Sequence, residues 1–287
     1  MDNAMVGHDW QAGEVYREGL AVRVRHMQGG QVEISGFPTT AWRKRDLWLA
    51  EGNKVAARGE SEHKETNQER SARRSVQSIR LRCKSICADR MLTLSTRECI
   101  TDLDKFAALF DAFRRGMRKH REFEYVAVPE RQKRGAWHLH IAVHGKTALR
   151  LAIAVWNRVL GGKGNGYCHI RNPGRSDSKR NNGKQWEGHR LAAYISKYIS
   201  KDVSEHELNS KRYWTSRGIV VPEKATWGTS IGYESMYEAL KPVLSYLEGV
   251  AGLDDLVAHI SAKNGSFWLA TGPRFCGPVM PTFEESI

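Results

Sequence analysis

The sequence predicts an α+β protein: an antiparallel sheet built in split βαβ order, with helices on one face and the other face free to carry a site. Three observations lead there. Between residues 90 and 170, stretches of period-two alternation take turns with stretches whose apolar residues recur at helical spacing, in the order strand, helix, strand, strand, helix, strand. A short turn, Arg131-Gln132-Lys133-Arg134-Gly135, joins the second strand to the third and makes them an antiparallel hairpin. The third strand, residues 137–144, reads Trp-His-Leu-His-Ile-Ala-Val-His, so His138 and His140 project from one face of an otherwise apolar strand.

With 287 residues and 40% hydrophobic side chains, the chain can bury at least one full core. The expected organisation is an N-terminal accessory segment at 1–60, a main domain at 61–217 and an acidic accessory region at 218–287. The formal net charge of +13 is unevenly spread: residues 218–287 hold four basic and eight acidic side chains, which leaves +17 on residues 1–217. A polyanionic partner therefore meets the first three quarters of the chain. The five cysteines, at 83, 87, 99, 168 and 276, are odd in number and sparse. Cys83 and Cys87 stand one helical turn apart with no second pair to complete a zinc site, so reduced, buried thiols are expected. Residues 1–10 lack a basic patch followed by an apolar run, and no stretch of about 18 apolar residues occurs anywhere. A soluble, cytoplasmic protein without a membrane partner is the expectation.

In chain order, residues 20–25 and 31–35 alternate at period two around Gly29-Gly30, a hairpin pattern. Residues 56–86 are densely charged, with Arg70, Arg73, Arg74, Arg80, Arg82 and Lys84 in the second half. They read either as a helix reaching toward phosphates or as a solvated helix packed along one edge. Residues 90–96 form the first strand of the sheet. Thr101 or Asp102 then caps a helix carrying Phe106, Leu109, Phe110, Phe113 and Met117 at helical spacing. The second strand runs from 122 to 128 and is ended by Pro129. After the histidine strand come a helix at 148–160, a glycine-rich turn and a strand at 167–170. Residues 171–186 are a polar, basic loop, and a helix at 187–201 carries Tyr194 and Tyr198. The remaining chain predicts helices at 232–249 and 253–262 and a strand at 267–270.

His138 and His140 stand about 6–7 Å apart along their strand, within reach of one ion. His144 lies about 13 Å beyond His140 and is a poor ligand. Glu130, across the hairpin from His138, could face the same ion. Two imidazoles and a carboxylate with open positions suit a divalent metal, Mg²⁺ or Mn²⁺, that polarises a phosphate oxygen. The competing reading is two histidines on the exposed face of an edge strand beside a solvated glutamate. On the helix, Tyr194 and Tyr198 are one turn apart, each followed at +3 by a lysine, Lys197 or Lys201. The competing reading there is an ordinary amphipathic stripe of Leu191, Tyr194, Ile195, Tyr198 and Ile199.

Together, a metal site, paired tyrosines with adjacent lysines and a large positive charge describe phosphodiester transesterification by a phenol oxygen. A free tyrosine, with a pKa of about 10, needs the metal and the lysine charge to favour the phenolate. Thr93 and Ser95 alternate onto one face of the first strand, where their hydroxyls could contact DNA. The basic residues of 171–190 and 211–217, Arg190, Lys211, Arg212 and Arg217 among them, would line a single-strand path. Trp186 and Trp214 are either stacking partners for bases or core residues.

The succession Leu92-Thr93-Leu94-Ser95, then Glu130 with His138-Leu139-His140, then Tyr194-Ile195-Ser196-Lys197-Tyr198 resembles motifs one, two and three of the HUH rolling-circle replication initiators. The doubled tyrosine is similar to the gene A-type initiators of small single-stranded DNA phages and related plasmid and prophage proteins. The resemblance spans about residues 70–217, including a basic patch at 211–217. It implies an RRM/ferredoxin-like HUH endonuclease core with His138, His140 and Glu130 as metal ligands. It also implies Tyr194 and Tyr198 as alternating nucleophiles and Lys197 and Lys201 as phosphate contacts. Such a protein nicks one strand at a replication origin, forms a 5′-phosphotyrosine bond, frees a 3′-hydroxyl and later rejoins the displaced strand. Gly161-Gly162-Lys163-Gly164-Asn165-Gly166 lacks the spacing of a nucleotide-binding P-loop, so unwinding would fall to a host helicase. Two alternatives stand beside this: a two-tyrosine HUH transposase acting on element ends, and a non-catalytic single-stranded DNA-binding protein whose tyrosines are core. A mobilisation relaxase fits less well, because its tyrosine precedes its histidines.

Overall fold

The computed structural model describes residues 16–41, 64–144, 149–171, 191, 194–195, 211–227, 233 and 235–273. In chain order its elements are β1 (Tyr16–Met27), β2 (Gln31–Ala41), α1 (Lys64–Ser85), β3 (Arg90–Thr96), α2 (Leu103–Arg118), β4 (Val126–Arg131), β5 (Trp137–Val143), α3 (Leu149–Val159), β6 (Gly166–Arg171), β7 (Trp214–Thr215), β8 (Ala225–Thr226), α4 (Met236–Ala251), β9 (Val257–Ser261) and β10 (Ser266–Ala270). The chain divides into two units: residues 1–25, 33–62 and 224–270 in one, and 26–32, 63–223 and 271–287 in the other. Among the described residues, no helix is long and apolar enough to cross a membrane.

The first unit is built on a five-stranded sheet in the order β8-β1-β2-β10-β9. The hairpin expected around Gly29-Gly30 is present, and both glycines adopt positive φ (74° and 72°), which lets β1 turn back into β2. One expectation is overturned here. The stretch 253–262, whose spacing predicts a helix, holds the strand β9, paired antiparallel with β10 so that Ile260 opposes Phe267 and Ala258 opposes Leu269. Its apolar residues satisfy helical spacing, but Asn264-Gly265 provides the turn, with Gly265 at φ 59°, and the non-local partner β10 outweighs local periodicity. The preceding helix, α4, starts where Ser235 accepts a hydrogen bond from the Glu238 amide and ends at Gly252.

The second unit holds the other sheet, in the order β6-β3-β5-β4-β7, with neighbouring strands antiparallel. Its first four strands in sequence thus lie in the order 4-1-3-2, the split βαβ arrangement. Alternate residues divide the sheet into two faces. Leu92, Leu94, Ala127, Leu139, Ile141, Val143 and Cys168 point toward α2 and α3 and meet Phe106, Phe110, Phe113, Met117, Val155 and Trp156 in one cluster. Asp102 is the residue that caps α2: its Oδ1 accepts from the amides of Asp104 (2.8 Å) and Lys105 (3.2 Å), worth about 1 kcal/mol. Trp156, fully buried, sits edge-on to Phe106 and Phe113 and donates its indole N–H to the Ser95 carbonyl of β3 at 3.0 Å.

Pro129 does not end the second strand. It lies inside β4, opposite Leu139. The pairing of β4 with β7 covers Val126 and Ala127 alone among the described residues, so beyond them β4 is itself an edge, where a missing N–H costs no ladder bond. Gly166 opens β6 for a steric reason: a Cβ there would stand 2.5 Å from the Ser95 carbonyl oxygen and press on Leu160 Cδ1 and Trp156 Nε1. Gly166→Ala therefore has to push β6 off β3, at a cost of about 1–3 kcal/mol. Thermal unfolding followed by circular dichroism should show a midpoint several degrees lower; an unchanged midpoint would mean that this contact yields freely.

The opposite face, expected to be free, is covered at one end. Met91, Val126, Val128 and Ala142 lie under Ala72, Ile79 and Cys83 of α1 and under Leu191 and Ile195 of the tyrosine-bearing segment. The charged helix α1 thus packs through a stripe of small and apolar residues four and seven apart. Of its basic residues, Lys84 is buried with its Nζ 3.5 Å from the Thr271 carbonyl oxygen, and Arg82 donates to Ser78 Oγ and lies over the Tyr213 ring. The end of the face that holds Ser95, Glu130 and His138 lies beyond this cover. Cys83 and Cys168 are buried as expected, and burial pushes both thiols up to about 12. Cys99 is exposed instead, its thiol on the Arg134 carbonyl oxygen at 3.3 Å. Cys276 is outside the described residues.

Candidate metal centre

The site is set by strand register. On β5, His138 and His140 point to the face away from α2 and α3, because Leu139 and Ile141 between and beside them fill the aromatic cluster. The pairing of β4 with β5 sets Glu130 directly opposite His138 and Val128 opposite His140. On the other side of β5, Ser95 opposes His138 and Thr93 opposes His140. Directly opposed residues share a face, so one row of the sheet reads Glu130, His138, Ser95 and the next Val128, His140, Thr93.

Three side chains converge within this lattice. Glu130 Oε2 is 2.8 Å from His138 Nε2 and 2.9 Å from His140 Nε2, and the two Nε2 atoms are 2.7 Å apart. The rings stand edge to face, with centroids 4.5 Å apart. All three side chains are largely buried, His140 most of all. Two imidazoles of which at most one nitrogen each bears a lone pair, and one carboxylate oxygen, form a donor set that a divalent cation satisfies at once. Their spacing bears on the kind of ion. Adjacent ligands about 2.1 Å from a six-coordinate ion stand about 3.0 Å apart, against about 3.4 Å for a tetrahedral one. Separations of 2.7–2.9 Å lie nearer the first, and they leave the remaining coordination positions for water or substrate. Among the described residues this is the group of histidine, cysteine and acidic side chains that could hold a metal ion.

Thr93 has a second place beside the one expected of it. Its Oγ1 lies 3.4 Å from His140 Nδ1, the ring nitrogen away from Glu130. An Nδ1–H directed at that hydroxyl leaves the Nε2 lone pair for an ion, so Thr93 orients the imidazole. His144 is turned elsewhere: its Nδ1 donates to the Cys87 carbonyl oxygen at 2.8 Å.

Tyr194 lies in a helical turn with Leu191 and Ile195, which are fully buried, and its half-buried ring packs against the cluster of Met91, Val128 and Ala142. That cluster covers the same sheet face that carries the three converging side chains. Tyr198, Lys197, Lys201, Arg190 and Trp186 lie outside the described residues. Lys211, Arg212 and Arg217 line, with Arg114, Phe110, Tyr125 and Trp214, a cleft of about 540 Å³ between β7 and α2. Trp214 packs there on the aromatic cluster, stacked on Phe110 with ring centroids 5.6 Å apart. The cleft is on the α2 side of the sheet, so these cations stand across the sheet from the metal centre.

Residues 89–203, from just before β3 through the tyrosine-bearing segment, match a family model described as a replication-associated protein of the ORF2 type. No curated protein and no solved structure matches the chain.

Proposed function

We propose that this chain, whose residues 89–203 match a family of rolling-circle replication initiators, nicks one strand of origin DNA by tyrosine transesterification and later rejoins it. The observation that carries the reading is the convergence of Glu130, His138 and His140 at 2.7–2.9 Å on the sheet face that also bears Tyr194. These three residues would hold a divalent ion, Mg²⁺ or Mn²⁺, which when bound withdraws charge from a scissile phosphate. The chain's own groups do the rest. A phenol oxygen of Tyr194 or Tyr198 loses its proton and attacks phosphorus, the P–O3′ bond breaks, and the 3′-oxygen leaves and takes up a proton. One ester is exchanged for another, so the bond energy is kept for rejoining and no nucleotide cofactor is consumed. Lys197 and Lys201, each three residues after a tyrosine, supply positive charge for the phenolate and the phosphate. Duplex opening is assigned to a partner helicase, and single-stranded origin DNA is the substrate.

The reading is tested by mixing the protein with labelled single-stranded DNA from its replicon's candidate origin, with Mn²⁺ or with chelator. A denaturing gel then resolves a protein–DNA adduct. The expected result is an adduct that needs metal, persists in part in Tyr194→Phe and in Tyr198→Phe, and is absent from the double variant. An adduct undiminished in the double variant would remove both tyrosines from the chemistry, and origin binding without any adduct would leave a DNA-binding protein.

A further inference from the structure

We propose that Tyr167 and His169 of β6 form a stacking platform for a nucleobase of the strand held at the metal centre, an assignment that rests on the single-stranded DNA reading above. β6 is the edge strand of its sheet and, among the described residues, pairs with β3 alone. The register sets Tyr167 opposite Ser95 and His169 opposite Thr93. The two rows of the metal face therefore continue to the sheet edge, one reading Glu130, His138, Ser95, Tyr167 and the other Val128, His140, Thr93, His169. Two strand spacings, about 10 Å, separate the imidazole column from the aromatic column, with two hydroxyl side chains between them.

The pair has the character of a contact surface rather than of a core. Cys168 and Ile170, which alternate with it, point into the aromatic cluster under α2 and α3, so the fold of β6 is held by them. Tyr167 is 61% exposed and His169 is exposed as well. The second cluster, which covers the Met91 and Ala142 end of this face, includes no β6 residue among those described. The rings are stacked on each other, with centroids 5.9 Å apart and planes 21° from parallel, so each limits the other's rotation. A flat, apolar and hydrogen-bonding surface that is already ordered takes up a flat ring at little entropic cost. Its continuity with the hydroxyls and the metal centre selects a base of the same strand over a peptide, which would add to the free edge through backbone bonds instead. The platform would hold a nucleotide one or two positions from the reacting phosphate and fix which phosphate reaches the ion.

The experiment measures binding in chelator, so that it does not depend on cleavage. Fluorescein-labelled single-stranded DNA from the candidate origin is titrated with wild type, Tyr167→Ala and Tyr167→Phe, and the titration is repeated with a series of oligonucleotides each carrying one abasic position. Tyr167→Ala should weaken binding about five- to a hundred-fold, and Tyr167→Phe, which keeps the ring, should bind within about two-fold of wild type. At one abasic position the difference between Tyr167→Ala and wild type should vanish, the mark of a direct partner. Equal binding by wild type and Tyr167→Ala, or an equal loss with every abasic oligonucleotide, would overturn the platform. The outcomes separate from those of the nicking reading: metal-dependent adduct without abasic coupling removes the platform alone, and coupling without adduct removes the nicking alone.

Discussion

His140→Ala should abolish metal-dependent adduct formation, lowering its rate by at least about 10³-fold. His140 is the most enclosed of the three converging groups and stands within 2.7–2.9 Å of both others. Its loss leaves one imidazole and one carboxylate, too few donors to hold an ion against water, and removes the ring that Thr93 orients. Glu130→Gln tests a different contribution, because it keeps the shape and removes the charge; a loss of about 10–100-fold in metal affinity is expected. A second readout avoids the chemistry altogether. An ion that binds only the folded state stabilises by about 2.7 kcal/mol at a hundred times its dissociation constant. Mn²⁺ should therefore raise the unfolding midpoint of wild type and leave that of His140→Ala in place. Equal rises in the two proteins would locate the ion elsewhere.

Trp156→Ala should be the most destabilising single substitution in the second unit, at about 3–5 kcal/mol. The indole is fully buried, meets Phe106 and Phe113 edge-on and donates to the Ser95 carbonyl. Its removal opens a large cavity between α3 and the sheet and orphans a backbone acceptor on the central strand β3. Since whole domains are stable by only about 5–15 kcal/mol, the variant is expected to be partly unfolded near physiological temperature. Trp156→Phe retains much of the apolar area and loses the hydrogen bond, so its cost should be clearly smaller. Urea unfolding of the three proteins orders them; a Trp156→Ala midpoint equal to wild type would mean that neighbouring aromatics collapse into the space.

The elements between residues 90 and 170 are legible because local periodicity and tertiary packing agree there. Phe106, Phe110, Phe113 and Met117 fall on one stripe, Asp102 precedes it as a cap, and α2 follows with those side chains inward. Where local and distant preferences conflict, the pattern misleads. Residues 253–262 carry helical spacing, yet they pair with β10, and the informative signal is Asn264-Gly265 rather than the apolar pattern. Proline breaks a ladder, which predicts a stop at Pro129, but β4 has a bare edge at that point. Tyr167 and His169 carry no such signal, because an exposed ring has meaning only after the sheet order puts β6 at the rim.

By itself the sequence determined that two imidazoles share a face. The two-residue period of a strand guarantees it for His138 and His140 whatever the surroundings. It also determined the order of elements, the excess of positive charge in the first three quarters of the chain and the match of residues 89–203 to their family. Only the tertiary structure decided that Glu130 joins the histidines, since a slip of one residue between β4 and β5 would turn the carboxylate to the other face. It also decided that α1 covers one end of that face and that Lys211, Arg212 and Arg217 gather across the sheet from the metal centre. The division has a physical cause: alternation along a strand is a property of a few consecutive residues, whereas register and layer are set by contacts between segments far apart in the chain.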